Sequence, residues 1–162
     1  MIRVLFVCTG NICRSPTAEG VFQALVDQQD LSDVVAVDSA GIESWHQGNA
    51  PDARSIEAAA RRGIDIGRQK SRPITMADFT DFDYLLAMDN EHFEILSAKS
   101  PLGAGSRIDL FLDFAPSLDQ REVPDPYYGA GDGFEKVLDM IEVASQGLLA
   151  EIRKTHLDPA AS

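Results

Sequence analysis

One stretch near the start constrains this chain more than any other. Val4, Leu5, Phe6 and Val7 close an unbroken apolar run of strand formers beginning at Ile2, the pattern of a strand buried on both faces. Directly behind it stand Cys8-Thr9-Gly10-Asn11-Ile12-Cys13-Arg14-Ser15-Pro16. Ser15 suits a helix N-cap and Pro16 the first helical position. Ala18, Val21, Phe22, Leu25 and Val26 then recur at helical spacing. A tight loop therefore joins a buried strand to a helix N-terminus. Such a loop points backbone N–H groups at one spot, where the helix dipole also favours negative charge. It is an anion cradle.

The two ends of the cradle set its chemistry. Cys8 sits where the strand ends, and a helix N-terminus with a nearby guanidinium favours a thiolate, the form that attacks. Arg14 closes the loop with a planar fork of donors that matches a tetrahedral oxyanion two oxygens at a time. A buried structural cysteine beside a surface arginine is the ordinary reading of any isolated pair. Here Gly10, Asn11, Ser15 and Pro16 each meet a separate backbone demand, which favours a nucleophile facing phosphorus.

The 162 residues suffice for one well-buried core and are short for two, so a single domain is expected over 1–156, with a flexible tail over 157–162. A formal net charge of −12 argues against nucleic acid or an anionic membrane as partner. No apolar run is long enough to span a bilayer, and the start lacks the pattern of a signal peptide. Only two cysteines occur, both in the loop, which is no secreted disulfide framework; a reduced, cytoplasmic setting is expected. Arg68, Lys70 and Arg72 form the one dense basic cluster, expected to be a solvated loop or a steering patch. His46, His92 and His156 are scattered, with no ligand spacing, so no metal and no cofactor are expected.

Farther along, Val34 to Val37 reads as a second strand, followed by a loop from Asp38 to Gly48. Pro51 opens a helix that ends with Gly63 as its C′ residue. Thr75 to Asp78 begins a helical turn, Tyr84 to Ala87 a third strand, Asn90 to Ala98 a helix and Ile108 to Phe114 a fourth strand. A long loop from Ala115 to Gly133 precedes a last helix striped with Phe134, Val137, Leu138, Ile141, Ala144, Leu148 and Ile152. Strand and helix alternate, so the fold class is α/β: a three-layer sandwich around a parallel sheet, doubly wound in the flavodoxin-like manner. In such sheets ligands sit beyond the carboxyl ends of the strands, where the Cys8 loop lies.

Cys8 to Pro16 resembles throughout the C-x-G-N-x-C-R-S-P motif of the low-molecular-weight protein tyrosine phosphatases. Asp125-Pro126-Tyr127-Tyr128 resembles that family's acid motif, and Asp38 to Gly41 and Met88-Asp89 look like family segments. The resemblance implies a sheet of four parallel strands and hydrolysis of phosphotyrosine and small aryl phosphates through a cysteinyl-phosphate. It implies Cys8 as nucleophile, Arg14 as clamp and Asp125 as general acid. Phosphate binding and loop support fall to Thr9, Gly10, Asn11, Ile12, Cys13, Ser15 and Ser39, with Ser15 also donating to the sulfur. Trp45, Tyr127 and Tyr128 form the substrate rim. Cys13, close to Cys8 in the same loop, is either its redox partner or a buried inert thiol. Tyrosine-phosphorylated proteins are the implied partners, a bacterial-type tyrosine kinase among them, with phosphate as a competitive ligand and the protein a monomer or weak dimer.

Three rival functions are compatible with a phosphate-binding loop. An arsenate reductase on this fold needs resolving cysteines after the third strand, and Leu86 to Leu96 holds none. A protein-arginine phosphatase typically has threonine at the position of Ile12 and a different aromatic pair after the acid; Ile12 and Tyr127-Tyr128 favour phosphotyrosine. A non-catalytic phosphate-binding module has no need of Cys8 and Asp125 together.

Overall fold

In the computed structural model, which describes residues 1–127 and 132–158, the apolar run becomes strand β1 (Ile2–Cys8) at the centre of the molecule. Its alternate side chains enter two separate cores, as the two-residue period of a strand requires. Val4, Phe6 and Cys8 face one, with helices α1 (Arg14–Gln28) and α5 (Gly133–Ile152). Leu5 and Val7 face the other, with Phe79 of α3 (Asp78–Asp81) and Leu96 of α4 (Asn90–Lys99). Phe6 lies between Phe22 and Phe111, with ring centroids 5.8 and 4.9 Å away in edge-to-face contacts. Burying one such side chain stabilises by about 1.5–3 kcal/mol.

Strand β2 (Val35–Gly41) pairs parallel to one edge of β1 and β3 (Tyr84–Ala87) to the other; β4 (Arg107–Leu110) pairs parallel to β3. The order is β2-β1-β3-β4. The chain therefore changes direction across the sheet at β1, and a crevice opens there beyond the strand ends. Helix α2 (Ala53–Ala60) packs against α1 and α5. The fold class and the four-stranded parallel sheet are as expected.

Several local expectations are corrected. Helix α1 starts at Arg14, with Cys13 in the cap position and no side chain capping it. Ser15 is therefore inside the first turn, because its hydroxyl is engaged by Asn11 and lies against Cys8. Asp38 to Gly41, read as loop, continues β2: Asp38 pairs with Leu5 and Gly41 with Cys8. Their polar side chains are tolerated because Arg72, Asn11 and Glu19 engage them. The fourth strand stops at Leu110, and Phe111–Phe114 winds into a single 3₁₀ turn that carries Phe111 onto Phe6.

Helix α2 begins after Asp52, whose carboxylate accepts the Arg54 N–H at 2.8 Å, rather than at Pro51. Its end is a Schellman closure: Gly63 N–H donates to Ala60 O and Ile64 N–H to Ala59 O, both at 3.0 Å, with Gly63 at φ +78°. Helix α5 runs on into a π-helical turn, Arg153–Leu157, and Leu157 packs on the first core. Residues 159–162 of the expected tail lie outside the described residues. Where α5 crosses the turn after β4, Gly147 lies directly on the Phe114 carbonyl; a Cβ there would stand well inside van der Waals contact.

Candidate active site

The loop after β1 is fixed from outside by its carbonyls. The oxygens of Cys8, Thr9, Gly10 and Ile12 accept from Ile42 N, Glu43 N, Ser71 Oγ and Asp52 N at 2.8–2.9 Å. The carbonyls thus turn outward, and the first N–H groups of α1, which have no acceptor within the helix, face the crevice. Asn11 takes a left-handed φ of 57°, which asparagine tolerates better than most residues. Its side chain holds that conformation. Nδ2 donates to Ser15 Oγ at 2.8 Å and Ser39 Oγ at 2.9 Å, while Oδ1 accepts Arg72 N–H at 3.1 Å.

Cys8, 3% exposed, sits at the base of a pocket of about 320 Å³, its Sγ 3.0 Å from Ser15 Oγ. Arg14, at 4% exposed, forms one wall. Its Nη1 donates to Asp89 Oδ2 at 2.9 Å and to Val123 O at 3.0 Å; Nη2 lies 3.6 Å from Asp125 Oδ2. Val123 is fully buried and its N–H donates to Met88 O at 2.8 Å, so the loop bearing Asp125 is pinned two residues before it. Asp125 Oδ1 in turn accepts Tyr127 N–H at 3.0 Å.

Behind the arginine, burial pushes the Asp89 carboxyl up, but the His92 backbone N–H, the His92 ring and Arg14 outweigh it and hold the group below the usual range. His92 is itself buried, with Nε2 2.8 Å from Thr9 Oγ1 and Nδ1 3.2 Å from Asp89 Oδ1. Burial, and then Arg14, push the imidazole down to about 4 against the pull of Asp89, so it is neutral at pH 7. Cys13 also lines the pocket, but burial pushes its thiol up to about 12, with a Ser55 hydrogen bond opposing.

The mouth is aromatic. Trp45 is 70% exposed, Tyr127 is at the edge of exposure, and the His46 ring lies 6.5 Å from that of Tyr127. Arg54, held by both Asp52 oxygens at 3.0 Å, lies 5.5 Å from the Tyr127 ring and donates to Tyr127 O at 3.1 Å. Tyr128 falls outside the described residues. The structure thus brings Cys8, Thr9, Gly10, Ile12, Cys13, Arg14, Trp45, Asp125 and Tyr127 around one pocket, with Asn11, Ser15 and Ser39 behind it.

Sequence reasoning passed over Asp89 and His92 as site residues, and His46 at the mouth. Of the basic cluster, Arg68 and Lys70 are exposed as a solvated loop requires, whereas Arg72 is not free in solvent: it bridges Asp38 and Asp78 at 3.0–3.1 Å and ties β2 to α3. Among the described residues no group of three His, Cys, Asp or Glu side chains could hold a metal ion, and no helix is long and apolar enough to cross a membrane.

The pattern describing the low molecular weight phosphotyrosine protein phosphatases matches residues 3–157. The chain belongs to this family. A relative in the low-molecular-weight phosphatases, YfkJ of Bacillus subtilis, is 42% identical over 154 residues, covering 95% of this chain and 97% of its own. The crystal structure of the Entamoeba histolytica protein tyrosine phosphatase, with Hepes in its active site, superposes with a TM-score of 0.91 at 38% identity, covering 95% of this chain and 98% of that one. A Drosophila arginine phosphatase shares the phosphatase fold as well, with a TM-score of 0.88 at 33% identity, covering 95% and 99% of the two chains.

Proposed function

We propose that this chain hydrolyses phosphotyrosine in proteins, and small aryl phosphates, in two steps through a phosphorylated Cys8. One observation carries the reading: Cys8, Arg14 and Asp125 face a single pocket, with the sulfur at its base and the carboxylate toward its mouth. Cleaving a phosphomonoester needs a nucleophile, neutralisation of the phosphoryl oxygens and a proton for the leaving oxygen. Cys8 Sγ attacks phosphorus, the P–O bond to the phenol breaks, and protonated Asp125 supplies the leaving oxygen's proton. Arg14 and the loop N–H groups hold the three phosphoryl oxygens, in an environment whose donors are already oriented. Asp125, now ionised, takes a proton from water as that water attacks phosphorus; the S–P bond breaks and phosphate leaves. Each demand is met by a side chain of the chain itself, so the reading calls for no cofactor.

Specificity follows from depth. The sulfur is buried, and Trp45 and Tyr127 offer apolar faces at the rim to clasp a ring. A phosphoserine, with a shorter side chain, would have to bury peptide backbone to bring its phosphate to Cys8. The partners in this reading are tyrosine-phosphorylated proteins, a tyrosine kinase of bacterial type being one candidate, with inorganic phosphate as a competitor. The reading places the protein in the reduced cytoplasm, where Cys8 stays a thiol, as a monomer or weak dimer.

Initial rates on phosphotyrosine, phosphoserine and phosphoarginine peptides test this directly. Phosphotyrosine should be fastest, and Cys8→Ser should abolish turnover while still binding phosphate. Faster hydrolysis of phosphoarginine would transfer the assignment to the activity named for the Drosophila neighbour. Substantial turnover by Cys8→Ser would refute the covalent route.

A further inference from the structure

One side chain ends the network behind the loop and has no part in the mechanism above. Glu19 lies on α1, and its Oε1 accepts the Ser39 hydroxyl proton at 2.7 Å. Counting donors fixes the direction of the bonds from there to the sulfur. Asn11 Oδ1 accepts a backbone N–H from Arg72, which orients the amide. Both protons of Nδ2 therefore go to the serines, Ser39 and Ser15. Each hydroxyl accepts from Asn11 and has one proton left to give. Ser39 gives its proton to Glu19. Ser15 has Cys8 Sγ at 3.0 Å and, farther off, the Ala40 carbonyl at 3.4 Å.

We propose that Glu19 is a positioning residue, the terminal acceptor of a hydrogen-bonded chain Glu19–Ser39–Asn11–Ser15–Cys8 that keeps the Ser15 proton aimed at the sulfur. The proposal rests on Cys8 being the nucleophile. With an acceptor at its far end, Ser39 presents only its lone pairs to Asn11, and Asn11 stays committed to both serines. Chains of this kind strengthen cooperatively. Without the acceptor, the Ser39 proton has no partner on this path, since the amide cannot turn without setting two donors face to face at Arg72.

The charges around Glu19 bear on how to test it. Asp38 of β2 and Arg72 face it, and Asp27 of α1 and Asp65, in the turn after α2, share its cavity. Burial pushes the carboxyl up to about 7; the Ser39 bond and Arg72 pull it down, and Asp38 adds to the rise. Whether neutral or ionised, Oε1 keeps a lone pair for Ser39, so glutamine mimics it closely.

The experiment is alkylation of Cys8 in the intact protein by iodoacetamide at pH 6, followed site by site by mass spectrometry. The reagent is uncharged and its rate reports the attacking sulfur, not phosphatase turnover. Glu19→Ala should slow alkylation roughly threefold and Glu19→Gln by less than about 1.5-fold, the range expected of one hydrogen bond acting through two others. Ser39→Ala should slow it at least as much as Glu19→Ala, and the double variant no more than Ser39→Ala alone, because the two break the same chain. Melting temperatures check that each variant is folded; Glu19→Leu, closer in volume, replaces Glu19→Ala if that variant is not. An unchanged rate in Glu19→Ala, multiplying effects in the double variant, or Glu19→Gln as slow as Glu19→Ala would each overturn the proposal. A protein with these alkylation shifts but no phosphatase activity would keep the chain and discard the function.

Discussion

Arg14 and Asp89 form an ion pair of 2.9 Å in which the guanidinium is 4% and the carboxylate 21% exposed. The two residues are 75 positions apart, yet the pair sets the plane of the clamp. Val123 O takes a second bond on the same nitrogen, and Nη2 is left toward Asp125.

Removing that carboxylate leaves a buried cation with the Val123 carbonyl as its one short bond, and only the longer contacts of Nη2 to Thr9 Oγ1 at 3.5 Å and Asp125 Oδ2 at 3.6 Å beside it. Asp89→Ala should lower kcat/KM for an aryl phosphate by roughly 10²-fold and destabilise the fold by about 3 kcal/mol, typical of breaking one side of a buried pair. Asp89→Asn should recover much of the stability but little of the rate. Kinetics and thermal melts on both variants check this; wild-type kcat/KM in Asp89→Ala would remove Asp89 from the clamp.

Asp125→Asn should slow hydrolysis by roughly 10²–10⁴-fold, the usual range for a positioned general acid. The loss should shrink as the leaving phenol becomes more acidic and needs its proton less. Rates across a series of substituted phenyl phosphates give the answer, and a loss independent of the leaving group would place the acid elsewhere.

Trp45 is exposed at the mouth and touches no reacting atom in the proposed mechanism. Trp45→Ala should raise KM for phosphotyrosine peptides several-fold, on the order of one lost aromatic contact, and leave kcat within about twofold. A kcat effect larger than the KM effect would contradict the rim assignment.

Peroxide should oxidise Cys8 to a sulfenic acid, with release of water, and Cys13, which lines the same pocket, should condense with it to a disulfide and a second water. Burial holds the Cys13 thiol at about 12, so little of it is thiolate at neutral pH. The fraction of activity that dithiothreitol restores should therefore rise when the peroxide treatment is carried out at higher pH, and Cys13→Ser should lose that rise. Recovery by Cys13→Ser equal to wild type at every pH would rule out the interception.

Glu19 gives a pH dependence of stability with a definite sign. Its carboxyl moves from 4.5 to about 7 on folding. Below 4.5 it is neutral in both states. As pH rises toward 7 the unfolded chain releases a proton that the folded one retains, so stability falls, and above 7 the loss is complete. Glu19→Gln should match wild type near pH 4.5 and exceed it at pH 8 by on the order of 1–2 kcal/mol, after discounting for partial solvation. Urea melts at the two pH values measure it; a Glu19→Gln protein no more stable than wild type at pH 8 would show that the carboxyl titrates normally. A group kept at a loss to stability is common where a site is built.

How far the sequence carried the reading depends on where the physics is local. The cradle was legible because a buried strand, a turn and a helix start occupy consecutive residues, and each constrains side chains within it. Asp89 was not, because one oxygen caps α4 through the His92 N–H at 2.9 Å, and a capping aspartate needs no second purpose. Only its other oxygen meets Arg14. Ser15 misled in the opposite sense: it looks like a cap, and its hydroxyl is spent on Asn11 and Cys8 instead. Asp38 and Ser39 disfavour a strand by themselves, and their pairing with Leu5 and Phe6 overrides that preference. Phe111 to Phe114 carries the opposite error: a mostly apolar segment that reads as strand leaves the sheet in a 3₁₀ turn, which sets Phe111 against Phe6.

The bare patch at Gly147 makes the distal helix a silent party to the chemistry. It rests on the Phe114 carbonyl with nothing between, and the segment leading to Asp125 departs from that same turn. A methyl group at 147 must either lift α5 or shove the turn from which the acid-bearing segment departs. In a random library such a Gly147→Ala clone would surface as an activity defect, although no substrate atom ever approaches it.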